Sequence, residues 1–460
     1  MQVTWTGAQA TALRMALGLT QRRFAEKSGI GLSTVKKWAA LGDAITLSER
    51  TVGDVVGMLE RATPEQRTRF AAATVLPLLP GGTADTVGCE WSPGMWTAAA
   101  TSVADDLTRE DLMFDRRQLN RALLGVVVGG QLFEPLERWL SDGAAPVVPG
   151  RARAGVGLQE VEELENAARV FRTWDDRHGG GLRRKAVVGQ LSEVNELVAE
   201  AHPPEIRVRL AGVMAQLAET AAMMSWDSGE QHLAQHYYAL AVRAAREADD
   251  PAFAAVVLAG MARQLLSLDR PGDALELIRL AQDHAAGRLT PATEAMLYTR
   301  EAWAYAKSER PTAFRRACDK AHAVLDGADR TGDPHWIHYF DAAELAGTIG
   351  GRLLETARRE PRFADEAAAQ IGRAIELRQP GRRRSAALDQ LNMVEARLIG
   401  GELEEACRVG HSALVVAEQT ASDRVAKKLI RVYNRTGDFV RVRAVAELRE
   451  RMRPLVAVTA

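Results

Sequence analysis

The feature that most constrains this 460-residue chain is a triplet of mostly small, bulky and small residues recurring along its C-terminal half. It reads Ala234/Tyr238/Ala241, Ala274/Ile278/Ala281, Phe314/Cys318/Ala321, Ala367/Ile371/Ala374 and Ala406/Gly410/Ala413, with first members 40, 40, 53 and 39 residues apart. Offsets of four and seven put each triplet on one helix face. Twelve positions before the first three triplets stand Ala222, Ala262 and Ala302, again 40 apart, on a preceding helix. Small residues at both places let two helices of a hairpin approach closely. Breakers separate the helices of a hairpin at Asp227-Ser228-Gly229, Arg270-Pro271-Gly272-Asp273, Glu309-Arg310-Pro311 and Gly400-Gly401. Others separate hairpins at Asp249-Asp250-Pro251, Leu289-Thr290-Pro291, Gly332-Asp333-Pro334 and Gln379-Pro380-Gly381. Pro251, Pro291 and Pro334 suit the first turn of the helices that follow. Stacked hairpins of this kind form a curved solenoid with a concave inner surface.

The composition agrees with helix. Hydrophobic residues are 47 % and charged ones 26 %, aromatics only 5 %, and alanine and leucine dominate. The length calls for two or three domains. The N-terminus lacks the basic-then-apolar plan of a secretion signal, and the most apolar run, residues 122–133, is too short to span a bilayer. A cytoplasmic protein is expected. Cys89, Cys318 and Cys407 lie far apart, without metal or redox spacing, and are expected to stay reduced. No nucleophile elbow, phosphate loop, H-E-x-x-H or C-x-x-C signature occurs, so neither an enzyme nor a cofactor is expected.

The N-terminus carries a second pattern. In Gln21–Trp38 the small Ala25 falls fifth, Gly29 ninth and Val35 fifteenth, counting from Gln21. Ala25 suits a close crossing of two helices, and Gly29 a left-handed helix end. Phe24, Ile30, Val35 and Trp38 are the apolar residues that would lock the pair. Residues 1–40 hold six basic side chains (Arg14, Arg22, Arg23, Lys27, Lys36, Lys37) against one acid, Glu26. Over the whole chain 59 basic and 60 acidic residues nearly cancel, so this positive field is local.

This segment resembles the phage Cro and repressor type of helix-turn-helix domain over residues 7–70, with further helices near Gly7–Leu17 and Thr51–Arg61. The resemblance implies that Gln21 and Arg22 approach phosphates of double-stranded DNA. It places Leu32, Ser33 and Lys37 against base edges, with Thr34 and Lys36 near the backbone. Gly31 stands where Ser or Thr caps the second helix in that family, so that hydrogen bond is missing. Leu32 suits a thymine methyl. A single module with these departures implies pairing, and a homodimer is expected.

The hairpin array resembles the tetratricopeptide family, with a period longer than that family's usual one of about 34 residues. Between the two parts, residues 71–157 read as a connecting region: a Pro/Gly loop with Trp91 and Trp96, one or two helices within Asp105–Leu140, and a linker over Ser141–Gly157. A helix over Leu158–Asp176 precedes Gly179-Gly180-Gly181. These blocks, with the run PLERWL at 135–140, resemble a group of actinobacterial regulators, and the arginine-rich composition is that expected of a GC-rich actinobacterial genome. The order of domains is similar to that of the peptide-responsive tetratricopeptide regulators of Gram-positive bacteria.

The expectation is therefore an all-α chain: a DNA-binding domain (1–70), a connecting region (71–157) and a helical-repeat domain (158–460). The resemblances imply a transcriptional regulator whose repeats bind a peptide, a small molecule or a partner protein. The alternative is an interaction scaffold in which DNA binding is secondary. The densest polar and aromatic cluster is Pro334–Glu344, where His335, His338, Asp341 and Glu344 fall every third residue along an expected helix. Imidazoles and carboxylates can hold a divalent ion. Here Trp336, His338, Tyr339 and Asp341 are read instead as lining the groove, with Asn392 (and Asp389) on a later helix.

Overall fold

The computed structural model describes residues 5–17, 19, 21–41, 45–62, 100–113, 126–141, 156–178, 184–420 and 422–457. Everything described is helix, turn or irregular connection, apart from one bridge pairing Thr6 with Thr46. The chain divides into two units, Met1–Glu90 and Trp91–Ala460. Among the described residues no helix is long and apolar enough to cross a membrane.

The first unit contains α1 (Gly7–Ala16), α2 (Gln21–Ser28), α3 (Leu32–Leu41) and α4 (Glu49–Glu60). Leu13, Phe24 and Val55 are fully buried, and Val35, Trp38, Leu47 and Met58 close the same core. Gly29 ends α2 with φ +72, a conformation open to glycine at little cost. The Ser28 hydroxyl donates to the Phe24 carbonyl at 2.7 Å and so satisfies a free group of that terminus.

The second unit opens with α5 (Ala100–Met113), α6 (Gly130–Ser141), α7 (Leu158–His178) and α8 (Arg184–Val198). Six hairpins follow. Their first helices are α9 (Pro204–Asp227), α11 (Pro251–Ser267), α13 (Pro291–Lys307), α15 (Ala342–Ala357), α17 (Arg383–Gly400) and α19 (Asp423–Arg435). Their second helices are α10 (Gln231–Glu247), α12 (Pro271–His284), α14 (Pro311–Leu325), α16 (Ala364–Leu377), α18 (Leu403–Ala417) and α20 (Arg443–Ala457). The two helices of each hairpin pack together, and α11, α13, α15, α17 and α19 also pack each on the next. First helices thus form the inner layer, as curvature requires of the side where neighbours approach most closely.

Every member of the five triplets is buried, as are Ala222, Ala262 and Ala302. The turns inside four hairpins share one device. Two residues before the second helix, Gly229, Asp269, Glu309 and Gly401 all have positive φ (83, 61, 57 and 82). Prolines open α9, α11, α12, α13 and α14, where a missing N–H has no consequence.

Two expectations need correction. Pro334 does not open an α-helix: it precedes a single 3-10 turn, His335–Ile337, and α15 begins only at Ala342. Trp336, Ile337 and Phe340 are pulled into the core, which holds this stretch as a buried loop. That loop, with the 3-10 turn Pro361–Phe363, accounts for the 53-residue step. In addition, α5 and α6 do more than connect. Ala104, Leu132 and Leu136 are fully buried in the main core of the second unit. The Gln235 amide pairs with both backbone groups of Val127 at 2.8 Å. Tyr237 donates to Asp111, which also holds Arg184. Residues 63–99, 142–155 and 179–183, with Cys89, Trp91 and Trp96, lie outside the described residues.

Candidate functional site

Two surfaces collect the residues of interest, one in each unit. In the first, α3 follows a tight turn from α2, and its residues divide cleanly. Val35 and Trp38 are buried on the core side. Leu32, Ser33, Thr34, Lys36 and Lys37 are all exposed. Positions 32, 33, 36 and 37 share one helix face by their spacing. Gly31 contributes only its carbonyl, which accepts from Thr34 N at 2.9 Å, so the first turn lacks a side-chain cap. The Gln21 and Arg22 side chains lie outside the described residues.

In the second unit the inner helices enclose a cavity of about 640 Å³, within the range of small-molecule sites. It is lined from α9, α11, α13, α15, α17 and α19, with Arg172 from α7. The array curves far enough for Arg384 of α17 to reach Asp227 of α9 at 3.1 Å, 157 residues away. Ten arginines and three lysines line the wall against five carboxylates.

The five acids are already engaged. Glu219 holds Arg172 at 2.6 Å and Asp227 holds Arg384. Glu344 and Asp389 share Arg378, each at 2.7 Å. Glu355 holds Arg358 at 3.0 Å and stands 3.9 Å from Arg352. Behind the wall the fully buried Glu395 binds Arg358 at 2.8 Å and Lys428. Among the described residues, no carboxylate lies within 4.0 Å of Arg263, Arg300 or Arg424, and Arg352 has only that distant one. The Nε atoms of Arg263, Arg300 and Arg352 are buried without a hydrogen-bond partner.

Aromatic faces partly replace the missing anions. Arg352 lies 3.3 Å from the Trp303 ring centre, and Arg263 and Arg424 lie 4.5 and 5.4 Å from that of Trp226. Burial pushes Arg352 down to about 9 despite Glu355, and Arg300, Arg424 and Arg263 add to the shift. Burial, with Arg263 nearby, pushes Arg424 down to about 10. These guanidiniums stay protonated, so the shifts register how unfavourable their surroundings are for charge. Asp389 is pushed the other way, up to about 7, by burial against the pull of Arg378 and with repulsion from Glu344.

The groove residues expected from sequence separate. Tyr339 and Asn392 line the cavity, as does Asp389. Trp336 packs against Phe253, with ring centres 5.5 Å apart, and reaches only a smaller neighbouring hollow of about 360 Å³. His338 borders the same hollow, its Nε2 2.8 Å from the Asp333 carbonyl. Asp341 caps α15, accepting from Glu344 N at 2.8 Å. The spacing that suggested one face fails because 334–344 is not a helix. Among the described residues no three His, Cys, Asp or Glu groups come together as a metal site. Cys318 and Cys407 are buried thiols. The arginines were missed because they are scattered over residues 172–431, on six helices and at helix ends.

No protein-family model, no curated protein and no solved structure matches this chain.

Proposed function

We propose that this protein is a cytoplasmic DNA-binding transcriptional regulator whose first unit is a Cro/repressor-type helix-turn-helix domain. Its second unit, a tetratricopeptide-like array, is the sensor. The observation that carries the reading is α3: Leu32, Ser33, Thr34, Lys36 and Lys37 all reach solvent on a short helix fixed from behind by Val35 and Trp38. A rigid helix with an exposed basic face is what major-groove reading requires. Leu32, Ser33 and Lys37 would meet base edges, and Thr34, Lys36, Gln21 and Arg22 the backbone. Two copies on a two-fold operator would double these contacts, so the working form is a homodimer.

The cavity supports the sensor role. An effector there would touch all the inner helices at once, so its binding energy would bias the curvature of the array and, through it, the spacing of two recognition helices. Gel shift on the chain's own upstream DNA at moderate salt tests the reading. Lys37→Ala should cost about 1–3 kcal/mol per half-site and relax sequence preference, while Lys36→Ala should lower the salt slope by about 1 per half-site. Unchanged binding by both variants rules out this face. A chain that binds no DNA, yet captures a protein through its second unit, would instead be the scaffold.

A further inference from the structure

We propose that the arginine-lined cavity binds a small ligand carrying two or more adjacent phosphoryl groups. This deepens the sensor reading by naming the chemistry of its effector.

The argument begins with charge. Arg263, Arg300, Arg352 and Arg424 converge on one cavity, and each adds to the unfavourable field of another: Arg352 feels Arg300, Arg424 and Arg263, while Arg300 and Arg424 each feel Arg263. Arg300 is 5 % exposed, and burial disfavours its charge, an effect that Tyr339 and Glu344 offset only in part. Burying several like charges without counter-anions is strongly unfavourable, and the local acids are spent on Arg172, Arg358, Arg378 and Arg384. An anion of high charge density entering the cavity would relieve this repulsion. Each guanidinium presents a planar fork of N–H donors that matches two oxygens of a phosphoryl group.

Donor and acceptor balance then selects among anions. An acidic peptide would bring a backbone N–H with every residue, and each would need an acceptor. The wall is donor-rich, and its carboxylates are engaged. Its side-chain amides are Asn392 and Gln231, and Gln231 already accepts from Gln264 at 3.1 Å. Phosphoryl oxygens only accept, so they fit such a wall without leaving a donor unsatisfied. The Trp226 and Trp303 faces are covered by arginines, so recognition runs through the phosphoryl oxygens rather than through stacking on an aromatic ring.

The test is calorimetric titration of the full chain with inorganic tripolyphosphate at physiological ionic strength, with hexaglutamate and sulfate in parallel. Tripolyphosphate should bind, sulfate should bind far more weakly, and hexaglutamate should not compete. Arg352→Gln and Arg424→Gln should each weaken binding by about tenfold or more, the scale of a lost charge-assisted hydrogen bond. The unliganded variants should melt no earlier than wild type, because each loses a buried repulsive charge. Arg352→Lys covers the case of a poorly folded Gln variant: it keeps the charge, loses the fork, and should also bind weakly. Absence of tripolyphosphate binding, equal binding by folded variants, or preference for hexaglutamate each overturns the proposal. The titration needs no DNA. A chain that binds tripolyphosphate but no operator would refute the regulator alone, and the reverse would refute this ligand class alone.

Discussion

The packing argument makes opposite predictions for one substitution at two helical glycines of the second unit. A Cβ added at Gly350 in α15 would lie 2.6 Å from Ile371 Cγ1, 3.0 Å from the Ile371 backbone N and 3.2 Å from the Ala367 carbonyl. Two of those neighbours are backbone of α16 and can yield only if the helices separate. At Gly189 in α8 an added Cβ meets nothing within 4 Å. Replacing glycine by alanine within a helix gains about 1 kcal/mol of intrinsic propensity at either site. Overpacking at a tight crossing costs about 1–3 kcal/mol or more, so Gly350→Ala should come out destabilised while Gly189→Ala is stabilised by up to about 1 kcal/mol. Hydrogen exchange read by mass spectrometry resolves both. In Gly350→Ala, amide protection should fall across 342–377 and stay unchanged in 204–247, because a hairpin array couples mainly to its nearest neighbours. In Gly189→Ala, protection of 184–198 should rise. If Gly350→Ala exchanges like wild type, the close approach of α15 and α16 is not what the small residues serve.

Glu309 holds a left-handed backbone with φ +57, where Gly229 and Gly401 occupy the equivalent turn, and its ion pair with Arg359 is exposed. Glu309→Gly should therefore stabilise the α13–α14 hairpin by about 1 kcal/mol, visible as a higher thermal midpoint; a lower one refutes the strain. Stability against pH should rise and then fall. His232, His335 and His236 are pushed down to about 4, 4 and 3, first by burial, so the folded state lacks protons that the unfolded chain binds below its own value near 6.5. Stability from these groups is complete above that value and lost as pH falls toward 4. Asp389 has the reverse sign. Its folded value near 7 exceeds the unfolded 3.8, so its contribution is complete below about pH 4 and is lost as pH rises from there through 7. Asp389→Asn should therefore steepen the rise between about pH 4 and 6.5 and remove the fall just below pH 7; thermal midpoints from pH 4 to 8 check it.

The repeat frame was legible because packing writes itself into sequence at fixed intervals. Second helices begin at 231, 271, 311, 364 and 403, in the same steps as the triplets, since a crossing of two helices accepts only small residues wherever it recurs. The sixth hairpin escaped for the same reason. Its second helix begins at 443, but the equivalent positions are Ala446, Glu450 and Arg453, and the last two form an exposed ion pair 2.6 Å apart. The stretch 334–344 misled because its polar spacing matched a helix while Trp336 and Phe340 had stronger reason to be buried in a loop. The groove left no local trace. Its arginines do not occupy equivalent positions in successive repeats: Arg263 is the thirteenth residue of α11, Arg352 the eleventh of α15 and Arg424 the second of α19. A nearly neutral chain hides a cavity where thirteen cations face five acids.

Stability alone does not explain that cavity. Second helices carry the triplets that hold the array together, so the first helices are freer to vary on their inner side. That freedom has been used in a costly direction. Gly347 leaves room for Asp389, whose Oδ1 would lie 2.6 Å from an added Cβ, and so for the Glu344–Arg378–Asp389 cluster. Trp303 and Trp226 present ring faces to guanidiniums that apolar side chains of similar size could have replaced with a gain in stability. Stabilising substitutions are easy to find in natural proteins, and their recurrent cost is function that depends on a strained, destabilised site. Four guanidiniums kept short of counter-anions, on helices whose packing does not need them, are therefore best explained by what enters the cavity. The unliganded protein is the strained state, and the ligand is the missing part of its electrostatics.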